Sequence, residues 1–284
     1  MLVDLHVDLQ PAGWRIVQAP SGDERRARST LAADVDALEI GAHGYEGPLK
    51  LQVAGPLTLA AGLERTRGDR MVADHGARRD LTESLAEGVR QHVAEMARRV
   101  PGARPIVQLD EPSLPAVLAG EVPTISGFGR LHAVEREEAD ALIRTIVDAA
   151  GVPVVVHCCA AQVPVTVVHG AGAVALSIDA GRLEETDLEA LAAAVDDGLA
   201  VWFGVVPSSR RAGESAADGH SVAGLARSVA EWWRRLERDP ATVVDRTVIT
   251  PSCGLAGANE RWGRDAYVLA GQVAAAFQDL ASEE

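Results

Sequence analysis

"VPVVVHCCAAQVP", residues 152–164, decides the reading of the fold. Val152 to Val156 form a β-branched apolar run of strand length, broken only by Pro153, and the first chemical side chain is His157. A strand that is apolar at nearly every position is covered on both faces, which is the habit of parallel sheets flanked by helices. Working outward, the same grammar recurs: "LKLQVAG" (49–55), "PIVQLDEP" (105–112), "AVALSIDAG" (173–181), "LAVWFGVVP" (199–207) and "TVITPSCG" (247–254) read as further strands. Between them lie segments with apolar residues at helical spacing, at 81–100, 135–151, 187–198, 221–238 and 260–281, the second ending at a C-cap glycine, Gly151. About six strand-then-helix units after residue 48 predict an α/β fold.

With 284 residues, the length suits one (β/α)8 barrel as a single domain over 1–284, with a doubly wound open sheet as the structural alternative. Neither G-x-G-x-x-G after the first strand nor G-x-x-x-x-G-K-[ST] occurs, so nucleotide-binding fingerprints are absent. Residues 20–48 and 207–221, rich in Gly, Ser, Arg and acids, read as mobile loops.

Charge narrows the partners. A net charge of −14 argues against a nucleic-acid groove and against an anionic membrane surface. No apolar run of about 18 residues appears, which predicts no membrane-spanning helix. The first residues, "MLVDLHVDLQPAGW", lack the basic start and cleavage site of a signal peptide. Three cysteines are too few for a disulfide framework and suit a reducing cytoplasm, where a Cys/His cluster points to metal or catalysis.

Chemical side chains gather just beyond the apolar part of the strands: Asp110 and Glu111, His157 and Cys159, Asp179, then Cys253. In a parallel barrel those positions are the C-terminal strand ends, where active sites are built. Alternation along a strand turns His157 and Cys159 to one face and Cys158 to the other. An imidazole nitrogen and a thiolate on one face are two ligands of a Zn²⁺ site, to which Cys253 adds a second sulfur and Asp179 a carboxylate. The competing reading of a lone cysteine is a small buried hydrophobe, and Cys158 is read that way. "LDEP" places two acids on opposite faces of a strand end; a proline-closed turn with two solvated acids is the alternative.

Taken together, "VQLDEP", "HCC", "SIDAG" and "TPSCGL", in that order and spacing, resemble the C-terminal catalytic barrel of cobalamin-independent methionine synthase. "VAGPLTLA" is similar to that family's G-P-V-T-[IL] segment, and the resemblance runs from about residue 48 to the C-terminus. It implies a zinc methyltransferase that activates a thiol, homocysteine, and yields methionine. It implies His157, Cys159, Asp179 and Cys253 as zinc ligands and Asp110, with Glu111 beside it, at the substrate ammonium. Asp179 stands where the family usually has glutamate.

Several family features have no counterpart. Ala61 and Gly62 occupy the region of the folate-side tryptophan, no histidine follows the "WFGVV" strand before His220, and no G-S-[FL]-P strand opens the barrel. The barrel is therefore expected without its first strand, "HVDLQP" standing in for the family's next strand end. The methyl donor is open to folate, a methylcorrinoid protein or a simple sulfonium. A corrinoid-linked thiol methyltransferase of the same superfamily and a degenerate zinc- or thiol-binding paralogue are the alternatives.

Overall fold

The computed structural model describes residues 2–209 and 221–283. The chain divides into two compact units, Met1–Val156 with Gly170–Ala173, and His157–His169 with Val174–Glu284.

In the first unit β1 (His6–Gln10) and β2 (Gly13–Val17) form an antiparallel hairpin, with Gln10 opposite Gly13. Helix α1 (Gly22–Gly41) follows, its first turn capped by Ser21 Oγ, which accepts from the Glu24 amide at 3.0 Å. Strand β3 (Gly47–Ala54), α2 (Pro56–Gly62), α3 (His75–Arg99), β4 (Ala103–Asp110), α4 (Leu114–Leu118) and α5 (Arg136–Ala150) complete most of it. β3 and β4 pair in parallel with Ala54 opposite Asp110. β5 (Val154–Cys158) begins in this unit, where the Val107 amide donates to the Pro153 carbonyl at 3.0 Å. α5 buries Ala139, Leu142, Ile143, Ile146 and Ala150, one face at helical spacing. It stops at Gly151, whose φ of +62° is the left-handed cap that glycine adopts without a Cβ penalty. Leu57, Leu81, Leu85, Met96 and Leu109 are fully buried in its core.

The second unit takes the end of β5 and continues through α6 (Val165–Gly170), β6 (Ala175–Asp179), α7 (Glu185–Asp196), β7 (Ala200–Val206), α8 (Val222–Arg235), β8 (Thr247–Pro251) and α9 (Glu260–Glu283). β6 pairs with β7 and β7 with β8, both in parallel. The register of β7 against β8 slips between Gly204 and Val206, a bulge of the kind that re-aims strand ends beside sites. Phe203 meets Trp233 edge-on with ring centroids 5.4 Å apart, and the Trp233 indole donates to Thr247 Oγ1 at 2.9 Å, tying α8 to β7 and β8.

The fold is thus α/β, with six sheet strands in the chain order β3-β4-β5-β6-β7-β8 and β5 common to both units. Strands expected at 49–55, 105–112, 152–159, 173–181, 199–207 and 247–254 are all present. Of the (β/α)8 barrel expected without its first strand, six parallel strands are present among the described residues. Among the described residues the two remaining strands, β1 and β2, form a separate two-stranded antiparallel sheet, and β2 adds one parallel bridge, Arg15 to Glu64. Two residues join them, enough for a hairpin, whereas a parallel neighbour needs a crossover of about a dozen. "HVDLQP" is therefore the first arm of that hairpin. The loop expected over 20–48 is mostly α1. Most of the 207–221 loop, with His220, lies outside the described residues.

Candidate metal centre

The last residues of β5 divide as alternation requires. Cys158 is fully buried, while His157, 6% exposed, and the half-buried Cys159 serve the other face. His157 Nδ1 lies 3.0 Å from Ser177 Oγ on β6. With the hydroxyl accepting from Nδ1–H, the imidazole is held in the tautomer whose Nε2 carries the lone pair, the arrangement that orients ligating histidines. Cys253, exposed, stands two residues beyond β8, and its Sγ lies 3.1 Å from Cys159 Sγ. That separation is far beyond a disulfide bond of about 2.05 Å, and both thiols are free.

His157, Cys159 and Cys253 each bring one ligand atom into a group whose members all lie within 4.8 Å of one another. The three lie in the second unit, and β5 and β8 deliver them from opposite ends of its sequence. The donor set fits zinc: one imidazole and two sulfurs leave a fourth tetrahedral position, as catalytic rather than structural sites do. Burial, and then the hydrogen bond and charge of Cys253, push the Cys159 thiol up to about 12. Two thiolates so close are incompatible without a cation between them, and a dication resolves that conflict.

Asp179, the fourth ligand implied by the resemblance, stands at the end of β6 but outside this group. Its Oδ1 accepts from the Gly181 amide at 3.0 Å, capping the turn that follows, and its Oδ2 lies 3.5 Å from Arg182 Nε. Asp179 also borders a cavity of about 450 Å³ shared with Gly204, Trp232 and Ser252.

In the first unit Asp110 and Glu111 take opposite environments. Asp110 is partly open, with Oδ2 accepting from Gln52 Nε2 at 2.6 Å and Oδ1 from Gln108 Nε2 at 2.7 Å. Two amides fix the plane of the carboxylate. Glu111 is wholly buried, accepting from the Leu57 amide at 2.9 Å, the Thr58 amide at 2.8 Å and the Thr58 hydroxyl at 2.7 Å. A Cβ on Gly55 would stand 2.3 Å from Glu111 Oε1, so the glycine of "GPLT" makes room for this carboxylate. Burial, with the neighbouring Asp110 charge, pushes the Glu111 carboxyl up to about 7 against the pull of those three donors.

Three supporting residues escaped the sequence reading. Ser177 lies two positions before Asp179 in the motif already read, on the same strand face. Gln108 bears the same relation to Asp110, and Gln52 faces Gln108 in the β3–β4 register. Alternation was the available signal, applied only to the residues with metal or acid chemistry.

Fold and site together define a class: an α/β protein with a His/Cys/Cys group that could hold a metal, at the C-terminal ends of β5 and β8. The family model described as "Cobalamin-independent synthase, Catalytic domain" matches residues 5–276, and the chain belongs to that family. Family membership indicates a methyltransferase-like enzyme acting on small molecules. Among curated proteins none matches. Among solved structures, the crystal structure of the YdjI aldolase from Escherichia coli K12 is similar at 14% identity, covering 88% of this chain and 94% of that one, with a TM-score of 0.27. A superposition that poor carries no argument about fold or reaction. No helix among the described residues is long and apolar enough to cross a membrane.

Proposed function

We propose that this chain is a single-domain, zinc-dependent methyltransferase of the cytoplasm that transfers a methyl group to the thiol of a homocysteine-like amino acid. One observation carries the reading: an imidazole and two sulfurs, 94 residues apart at the cysteines, lie close enough to ligate one ion. Zinc held by His157, Cys159 and Cys253 supplies a lowered thiol pKa at the acceptor sulfur, without redox chemistry. The remaining work falls to the chain. Ser177 holds the His157 ring and its tautomer. Asp110, its plane set by Gln52 and Gln108, binds the substrate ammonium by charge-assisted hydrogen bonds. Glu111, which reaches no solvent, positions α2 and does not touch substrate. The acceptor thiolate then attacks the methyl carbon in line, and the rate comes chiefly from positioning.

Metal analysis of the purified chain, beside Cys159→Ser and Cys253→Ser, tests the assignment. About one zinc per chain, lost in both variants, is expected. Stoichiometric zinc surviving both substitutions overturns it. Formation of methionine from homocysteine and a methyl donor, abolished in both variants, tests the reaction.

A further inference from the structure

The cavity bordered by Asp179 lies entirely in the second unit and begins one residue from the metal centre, since Ser252 lines it and Cys253 is a ligand. Asp179 enters it from the strand whose Ser177 holds His157, two residues earlier on the same face. Its other walls are largely apolar, from Val205, Pro207 and Leu225, with the indole of Trp232 on α8. About 450 Å³ is the space of a small molecule.

We infer that this cavity binds the methyl donor, and that the donor is a methylated onium, a sulfonium or a quaternary ammonium. The inference rests on the thiol-methylating reading above and names the second substrate of that site. Apolar walls suit the methyl groups, the Trp232 ring attracts a diffuse cation, and Asp179, whose only cationic neighbour among the described residues is the largely exposed Arg182 at 3.5 Å, adds a carboxylate for the cation to share. Arg235 lies with Cζ 4.1 Å from the Trp232 ring centroid, but its charge is matched by the Glu185 carboxylate, so it does not oppose a second cation.

The step balances without a further reactant. The acceptor thiol gives its proton to solvent, and its sulfur lone pair forms the new S–CH3 bond. The methyl–onium bond breaks, and its electron pair stays on the leaving sulfur or nitrogen. A cation and a thiolate become two neutral products. The spent donor has lost the charge that Asp179 and Trp232 recognise, which favours its release.

The test measures binding of trimethylsulfonium and of tetramethylammonium to the zinc-supplemented full chain by ligand-observed NMR, with 3,3-dimethylbutan-1-ol as an uncharged probe of similar bulk. Both onium ions should bind at least tenfold more tightly than the alcohol. Trp232→Leu and Asp179→Asn should each weaken them about 3- to 30-fold, the range of a desolvated cation–π contact. Trp232→Phe, which keeps an aromatic face, should retain more affinity than the leucine variant. Equal binding of alcohol and onium, or onium affinity unchanged in both Trp232→Leu and Asp179→Asn, overturns the inference. Zinc content is read on the same samples: zinc bound with no onium affinity sinks the cavity's role alone, whereas onium affinity without zinc sinks the metal assignment alone. With homocysteine present, dimethyl sulfide or trimethylamine released alongside methionine identifies which onium donates. Methionine formed only from methyl-tetrahydrofolate overturns the donor class.

Discussion

Glu111 carries a carboxylate where no solvent reaches, and the Leu57 and Thr58 donors meet it there. Its folded value near 7, against an ordinary 4.5, means that the folded protein holds a proton the unfolded chain has released. Stability from this group is therefore greatest below about pH 4.5 and falls as pH rises to about 7, by about 3 kcal/mol in all. Thermal melts at pH 5 and pH 7.5 should show this slope, and Glu111→Gln should flatten it by removing the titration. Glu111→Ala should cost about 2–4 kcal/mol at pH 5, because two buried amides lose their acceptor. Gly55→Ala should resemble it, since its Cβ displaces the same carboxylate. At the metal centre, Ser177→Ala should weaken zinc about 10- to 100-fold by releasing the His157 ring, with Ser177→Thr restoring the hydroxyl. A competition titration against a chromophoric chelator reads it directly.

Elements were legible where their periodicity was strong. β5 was plainest, its β-branched run leading a strand buried at all five positions, whereas β3 alternates buried apolar residues with Lys50 and Gln52 and was legible from that alternation. α5 announced itself through five buried apolar residues on one face and a terminal glycine. α1 did not: of its 20 residues only Glu24 and Val35 are buried, so its sequence lacks an apolar stripe and looks like a charged loop. The β1–β2 hairpin was hidden by its short turn, since a reading tuned to strands separated by helices passes over two that are nearly adjacent. β7 supplies the element-scale prediction. Gly204 sits where the strand slips register, with backbone from β6 and from the residue after β8 closing on its Cα. Backbone on both sides cannot yield as a side-chain tip does. Gly204→Ala should cost at least about 2 kcal/mol and shift the denaturation midpoint accordingly.

At the scale of the whole molecule, the His157/Cys159/Cys253 group, which could hold a metal, was legible because two rules converge on it: alternation selects His157 and Cys159, and the strand-end rule adds Cys253. The same rules bring Asp179 to a strand end but cannot say that a short acid there caps its own turn at Gly181. They place Asp110 and Glu111 on opposite faces without saying which is buried; Gly55, 56 residues earlier by sequence number, decides that. The division into two units gives the proposed zinc a mapped thermodynamic consequence, because all three residues that could ligate it belong to the second. A ligand that binds only the folded state stabilises by about 2.7 kcal/mol at a free concentration 100 times its Kd. Amide hydrogen exchange with and without zinc should therefore slow by up to about 100-fold in segments 157–169 and 247–259, where the ligands lie. Segment 47–54, in the first unit, should change less. Cys253→Ser should erase the zinc effect in both responding segments, and a zinc response that persists in that variant places the ion elsewhere.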